Sequence, residues 1–473
     1  MTALCGIERF VTDPELLGPW FNGDSWSNWL TVLKGAFGEP LSESEHRQFV
    51  LLAEREPPDA RVRELWCAIG RRAGKDSTAS AIATYMATAI DWSPYLRPGE
   101  RATILCLAVD RQQAALVFSY IAGYFDRVPM LGALVNRRTD DTIELEHVDI
   151  MVATCSYRSL RGKTVALAIL DECAFWRPAD GAFVSPDVEV YSALLPCLMT
   201  LRKAGALIIG ISSVYRRAGL LYDKWQDHHG KPGDVLVIKA PSRTFNPTLD
   251  EAAIVADMAL DPARGAAEWL SEWRNDIAAF VSREAVEAVI IPGRRELLPR
   301  ADVRYFGFCD PAGGSGADAM TLAICHVEGS AAERRILDCI REWKPHFSPE
   351  VVVEEAAATL AQYGVTMVTG DRYAGDWPGE RFRSHGIDYI SSEKHKSEIY
   401  RAFLSILNSA QCELLDDPRL VGQLIGLETK TAWGGRQSID HGLGGHDDLI
   451  NAAAGALVLS ESSRSLLAWR GML

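Results

Sequence analysis

The sequence predicts an α/β chain with two sheet-bearing parts joined by a helical insert, and three observations predict it. Short apolar runs alternate with helical stretches over residues 61–245, a rhythm that implies a mostly parallel sheet covered by helices. From Asn246 to about residue 289 the pattern turns to Ala-rich, charge-laced helical periodicity, with Trp269 and Trp273 four apart. After a stretch at 290–300 that holds Pro292, Gly293 and Pro299, a second alternation runs on to the last helix. The expected organisation is a lead-in over 1–60, an α/β domain over 61–245, a helical lid and linker over 246–300, and a second α/β domain over 301–473.

Taken in order, residues 42–54 read as a helix closed by Pro57 and Pro58. Strands are expected at 65–69, 102–109, 149–154, 165–170 and 206–211, with helices at 77–90 and 111–125. In the second part, 303–309 and 320–326 look like a hairpin, with further strands at 335–338 and 365–369 and a final helix over 446–460. A composition of 48% apolar and 24% charged residues is that of a globular chain. No run reaches the roughly 18 apolar residues of a membrane span, and residues 1–10 carry Glu8 and Arg9 in place of an apolar signal core.

The ten cysteines, Cys155 among them, stand singly, without a CxxC pair, which argues against a zinc site and for a reduced, cytoplasmic setting. A net charge of −14 argues against a protein that coats DNA through its overall field, but not against a cleft with a few local phosphate contacts.

The first chemical signal is Gly70-Arg71-Arg72-Ala73-Gly74-Lys75-Asp76-Ser77, between an expected strand and an expected helix. That setting suits a phosphate loop: glycines let backbone N–H groups face phosphate, the helix N-terminus adds positive potential, and Lys75 neutralises β/γ oxygens. The spacing departs from the usual loop, which has Gly where Ile69 stands and Ser or Thr where Asp76 stands, so either Ser77 or Asp76 must help hold Mg²⁺. The bland alternative is a Gly-containing helix start that binds nothing. Downstream, residues 165–170 form an apolar run ending in Asp171-Glu172. A buried parallel strand delivers its C-terminal residues to the ligand-binding edge of the sheet, where Asp171 would hold the Mg²⁺ shell and Glu172 would polarise the attacking water. Loop and acids in this order point to ATP hydrolysis.

These residues resemble the large subunits of tailed-bacteriophage terminases. The family's phosphate loop carries an Arg directly after its first residue, the place of Arg71. The stretch from Leu105 to Ala114, which includes Asp110-Arg111-Gln112-Gln113, is similar to the element after that loop. Arg158-Ser159-Leu160-Arg161-Gly162 resembles the lead into its acidic motif. Gly210-Ile211-Ser212-Ser213-Val214-Tyr215 resembles its coupling motif, in which hydroxyls such as that of Ser212 sense the γ-phosphate. The resemblance implies a P-loop NTPase of the additional-strand class with a small helical lid, followed by an RNase H-like nuclease. It implies ATP held by Gly70, Arg71, Arg72, Gly74, Lys75, Asp76, Ser77, Asp171 and Ser212, with Mg²⁺ on Asp171 and Ser77, and Arg71 stabilising γ-phosphate charge in cis or in trans. It also implies double-stranded DNA, a small terminase subunit and the procapsid portal as partners, a homo-oligomeric ring during packaging, no membrane, and work in the cytoplasm of an infected bacterial host.

Two-metal DNA cleavage needs roughly three or four converging carboxylates. Asp310 ends one expected strand, Pro311-Ala312-Gly313-Gly314-Ser315-Gly316 forms a turn, and Asp318 opens the returning strand. Asp371 ends a later strand, and Asp447-Asp448 begins the last helix. Singly, each has a dull explanation as a turn former or a helix cap. Their order is the RNase H-like one, and the resemblance makes Asp310, Asp371 and Asp448 catalytic metal ligands for two Mg²⁺ or Mn²⁺, with Asp318 and Asp447 as auxiliaries. Asp447 is expected to cap the helix or orient His446. Lys394-His395-Lys396 precedes an amphipathic helix and reads either as a DNA-backbone contact or as a solvated helix start. Arg216-Arg217 reads as a DNA or subunit contact or as a surface pair, and Trp66, Trp92 and Trp176 as core. Two rival readings are a helicase-like ATPase-nuclease of DNA repair or recombination, and a non-hydrolysing scaffold. The first needs a second RecA-like lobe for which no room remains after Asn246; the intact Lys75, Glu172 and nuclease acids speak against the second.

Overall fold

The computed structural model describes residues 3–108, 111–154, 160, 162–176, 186–314, 318–329, 333–371, 377–431, 437–442 and 445–460. Asp110, Cys155, Arg158, Ser159, Arg161, Ser315 and Gly316 lie outside them, as do the side chains of Arg111, Gln112 and Gln113. The described residues form two compact units, one within 3–176 and 186–275, the other within 276–460.

The first unit holds an eight-stranded sheet. Its strands are β1 (Glu64–Ile69), β2 (Ala102–Ala108), β3 (Arg137–Arg138), β4 (Thr142–Glu144), β5 (Val148–Thr154), β6 (Thr164–Asp171), β7 (Leu207–Ser212) and β8 (Val235–Ala240). Their order is β3-β4-β5-β2-β6-β7-β1-β8, parallel except for the β3-β4-β5 edge. One strand, β7, lies between the loop-bearing β1 and the acid-bearing β6, which is the additional strand that the sequence implied. β1, β2 and β7 are buried along their whole length, as a parallel sheet covered on both faces requires. The expected strand at 206–211 is the central β7; the apolar run of β8, which the sequence reading passed over, forms the sheet edge beside β1.

Helix Lys75–Thr88 is buried on nearly every side, and its Ala79, Ala81 and Ala83 allow close approach. The lead-in packs into the same core through Ile7, Phe10, Trp29 and Phe49. Its helix Glu43–Ala53 starts from a capping box between Ser42 and Glu45. Trp66, Trp92 and Trp176 are buried in this core, as expected.

The helical pattern expected over 246–289 is shorter in the structure. Helices Glu251–Leu260 and Pro262–Leu270 belong to the first unit, and the chain then changes character. Residues Ile277–Ala279 (β9) pair antiparallel with a distant strand, and only Arg283–Glu287 returns to helix. Backbone pairing with a strand remote in sequence outweighs the helix preference of two alanines.

The second unit is built on a six-stranded sheet and a three-stranded one. The strands are β10 (Tyr305–Asp310), β11 (Met320–Glu328), β12 (Arg334–Trp343), β13 (Met367–Gly370), β14 (Asp388–Ser391), β15 (Cys412–Glu413), β16 (Leu427–Thr431) and β17 (Gln437–His441). The large sheet runs β14-β13-β10-β11-β12-β15, with β10-β11-β12 antiparallel and β13 and β14 added parallel to β10. This is the RNase H-like order, and the small sheet is β17-β16-β9. The last helix, Asp448–Leu459, lies on the large sheet with Ala452, Ala453 and Ala456 buried. A Cβ at Gly455 would come within 2.5 Å of the Phe308 ring, so this approach requires glycine. Among the described residues, no helix is long and apolar enough to cross a membrane.

Candidate functional site

In the first unit, three parallel strands end at one sheet edge and bring their terminal residues together. After β1, the loop from Gly70 to Gly74 leads into helix Lys75–Thr88, with Arg72 and Gly74 in the left-handed region (φ 60° and 88°). The loop is pinned from several sides. Trp29 Nε1 donates to the Ala73 carbonyl (2.7 Å), and Asn246 Nδ2 to that of Arg72 (2.8 Å). The Arg71 N–H donates to the Glu268 carbonyl (2.7 Å), while its guanidinium lies 3.6 Å from the Glu268 carboxylate. A Cβ on Gly70 would meet the Glu268 and Trp269 carbonyls at 2.8 Å, which is why that position takes glycine. Helix Pro262–Leu270 is thus latched directly onto the loop.

Lys75 is buried, and its ammonium donates to the Ile69 (2.8 Å) and Gly70 (3.0 Å) carbonyls. Asp171 ends β6, also buried, with Oδ1 lacking a hydrogen-bond partner among the described residues. Burial, then the negative charges of Asp76 and Glu172, push its carboxyl up to about 8 against the pull of Lys75. Asp76 is likewise raised, by burial first, with Lys75 opposing. Glu172 adopts a left-handed backbone (φ 46°), and its Oε2 accepts from Ser212 Oγ (2.9 Å) and from the Ser213 N–H (3.2 Å). Ser212 therefore ties the acid to the end of β7. Ser77 lines a cavity of about 500 Å³ with Trp20, Trp26, Tyr120 and Tyr124.

In the second unit, Asp310 ends β10, and Asp371 directly follows β13, its parallel neighbour. Asp448 is the first residue of the last helix. Asn451, three residues on and so on the same helix face, joins the two strand acids: its Nδ2 donates to Asp310 Oδ2 (2.7 Å) and Asp371 Oδ2 (3.2 Å). Desolvation of its carboxyl pushes Asp310 up to about 8; the Asn451 hydrogen bond opposes this, and Asp371, Asp448 and Asp447 add repulsion. Asp448 is raised by burial, against a hydrogen bond from the Ala319 N–H to Oδ2 (3.2 Å), with Asp447 and Asp318 adding to the rise. Asp318 is exposed. The acids singled out in the sequence thus act on one another electrostatically around Asn451, whose role the sequence reading missed.

Asp447 differs from expectation. It makes no helix-capping hydrogen bond. Its Oδ1 and Oδ2 lie 2.9 Å and 2.6 Å from the Lys396 ammonium, and Oδ2 also accepts from the buried Tyr400 hydroxyl (2.8 Å). A full ionic partner outcompetes the weaker N–H groups of the helix start. Lys396 also donates to Asp440 (3.0 Å), so it is an ion-paired residue, whereas Lys394 and His395 beside it are exposed. The signal for it was Lys396 and Tyr400 at helical spacing on one face. Asp440, His441 and Asp447 offer ligand atoms within 4.8 Å of one another, the single such trio among the described residues, and Lys396 sits against two of the three.

The first unit therefore has the fold and loop placement of a P-loop nucleotide site, and the second an RNase H-like sheet carrying a carboxylate cluster. No protein-family model matches the sequence, and no curated protein matches it. Solved structures to which it is similar include large terminases of bacteriophages. One is the HK97 large terminase (15% identity, 92% of this chain and 99% of that one, TM-score 0.37). A large terminase from a thermophilic bacteriophage gives 13% identity, 93% and 99% coverage, and TM-score 0.39. The large terminase nuclease of thermophilic phage G20c gives 18% identity, 37% and 96% coverage, and TM-score 0.33.

Proposed function

We propose that the chain is a large terminase subunit, whose first unit hydrolyses ATP to move viral double-stranded DNA into a procapsid and whose second unit cuts concatemeric DNA. The observation that carries this reading is the pairing, in one chain, of the Lys75–Asp171–Glu172 edge with the Asp310–Asp371–Asp448 cluster. Both sites suit divalent cations. Among the described residues Asp171 Oδ1 is a buried acceptor without a donor, and Asp310 and Asp448 are desolvated carboxyls that feel further acids, with the neutral Asn451 bridging Asp310 to Asp371. Divalent cations, when bound, supply the charge that draws phosphate oxygens together and lowers the pKa of an attacking water.

The protein's own groups do the rest. Lys75 exchanges its loop carbonyls for β/γ-phosphate oxygens, and Arg71, exposed beside Glu268, supplies a further cation to the γ-phosphate from its own or a neighbouring subunit. Glu172 accepts the proton of the attacking water, and its bond to Ser212 carries the state of that carboxylate to β7. Asp171, with Asp76 or Ser77, would hold the cation. In the nuclease, Asp310, Asp371 and Asp448 would hold the ions, while Asn451 keeps the first two aligned. The small terminase subunit, the portal and a ring of copies of this chain complete the packaging machine, in the cytoplasm of the infected cell.

The test is ATP turnover with and without DNA, alongside plasmid cleavage in Mg²⁺ or Mn²⁺. Glu172→Gln should keep nucleotide binding and lose hydrolysis by about 10²–10⁴-fold, the usual worth of a positioned base. Binding lost as completely as turnover would make Glu172 a structural residue.

A further inference from the structure

We infer that Lys396 contacts a backbone phosphate of the DNA strand beside the nuclease carboxylates, held there by Asp447 and Asp440. The inference rests on the nuclease reading above and adds a substrate contact to it.

Lys396 is the first residue of helix Lys396–Asn408, where the positive end of the helix dipole disfavours a cation. It stays because two acids hold it: Asp447 on one side (2.6 and 2.9 Å) and Asp440 on the other (3.0 Å). The backbone there is also fixed. Ser397 Oγ donates to the Ile439 carbonyl (3.2 Å) and accepts from the Ile439 N–H (3.0 Å), which locks the helix start to β17 beside Asp440. An ammonium has three N–H donors, and two carboxylates use two of them. The Lys396 side chain is 33% exposed, so an anion in solvent can approach it, while Asp447 is buried. Asp447 directly precedes Asp448 and its charge is felt at Asp310, so the ammonium stands at the rim of the carboxylate cluster. A phosphodiester passing over that cluster brings anionic oxygens to a place that otherwise repels them. A fixed cation at the rim is the group that admits it. The same ammonium already pairs with two of the trio Asp440, His441 and Asp447.

The experiment measures plasmid cleavage by the full chain across a salt series at constant Mn²⁺, for wild type, Lys396→Met and Lys396→Arg. Loss of one phosphate contact should make the plot of log(kcat/KM) against log[salt] shallower by about 1. Lys396→Met should show that change with KM for DNA raised several-fold, and Lys396→Arg should restore the wild-type slope. Because Lys396→Met leaves Asp447 buried without its partner, Lys396→Met/Asp447→Asn is measured too, and it should keep the shallower slope with thermal stability recovered. An unchanged slope with only kcat or stability reduced would mean Lys396 merely neutralises Asp447, and the inference falls. Failure of the underlying nuclease reading looks different: wild type would not cleave, and Asp310→Asn would be indistinguishable from it.

Discussion

The two acid sites begin alike and differ in what neutralises them. Each centres on a strand-end aspartate whose desolvated carboxyl is pushed up to about 8, Asp171 in one and Asp310 in the other. Asp171 has a cation of its own in Lys75, which pulls its carboxyl down, and a glycine loop whose helix N-terminus adds further positive potential. Among the described residues Asp310 has the Asn451 amide as its hydrogen-bond donor, and Lys396 is paired with Asp447 and Asp440. The first site carries positive charge from the protein, which suits the polyphosphate proposed for it; the second leaves its negative charge open, which suits the proposed metal ions. The two sites should therefore fail independently and answer differently to cations.

The sharpest break in that comparison is a crossed pair of variants. Lys75→Ala should take ATP turnover and DNA translocation to background while metal-dependent cleavage stays measurable; Asp310→Asn should do the reverse. Phosphate release and plasmid cleavage, run on the same preparations, decide it. Full ATPase activity in Lys75→Ala would remove that residue from the nucleotide site. Loss of both activities in either variant would mean that the sites depend on each other.

Within the carboxylate site the expected effect is smaller and more discriminating. Asp448 is held through Oδ2 by the Ala319 N–H and feels the charges of Asp447 and Asp318, whereas both oxygens of Asp447 are taken by Lys396 and Tyr400. Asp448→Ala should be as inactive as Asp310→Ala. Asp447→Ala should keep partial cleavage and instead lower thermal stability, since it strands Lys396 and the buried Tyr400 hydroxyl. The opposite ranking in a cleavage assay would transfer the ligand role to Asp447.

What the sequence made legible follows the range of the interactions involved. The placement of the glycine loop between β1 and helix Lys75–Thr88, the acids at the ends of β6, β10 and β13, and the acidic start of the last helix were readable because strand ends and helix starts are set by neighbouring residues. Pairings between distant segments were not. Nothing local to Ile277–Ala279 foretells β16, so helix periodicity was read across a strand. Asp447 was read as a cap because a helix start is judged from its own chain, while its partners Lys396 and Tyr400 come from another helix. Asn451 shares a helix face with Asp448 by its three-residue spacing, but its bridge to Asp310 and Asp371 depends on how closely the helix meets the sheet. Gly455 against Phe308 permits that approach.

The smallest expected effect concerns stability and pH. Asp310 moves from an ordinary 3.8 to about 8 on folding, so the folded chain holds a proton there that the unfolded chain has released. Its stabilising contribution is full below the ordinary aspartate range and is lost as pH rises through about 8. Asp171 has the same sign over the same window. The buried His326 is also raised, so it too loses stability as pH climbs. Carboxyls shifted the other way, such as Asp440 and Glu45, lose theirs only below the ordinary range and do not enter. In chelator, the midpoint of thermal unfolding should therefore fall as pH rises from about 6 to 9, with each kcal/mol worth about 2–4 °C in a unit of this size. Because His326 and Asp171 contribute as well, the slope alone identifies nothing; the difference between wild type and Asp310→Asn does. That variant cannot ionise at the site, so its slope should be flatter, and Mg²⁺ or Mn²⁺ should flatten wild type toward it by making the ionised cluster favourable. Equal slopes for the two proteins in chelator would mean that Asp310 is not the open negative charge that separates the second site from the first.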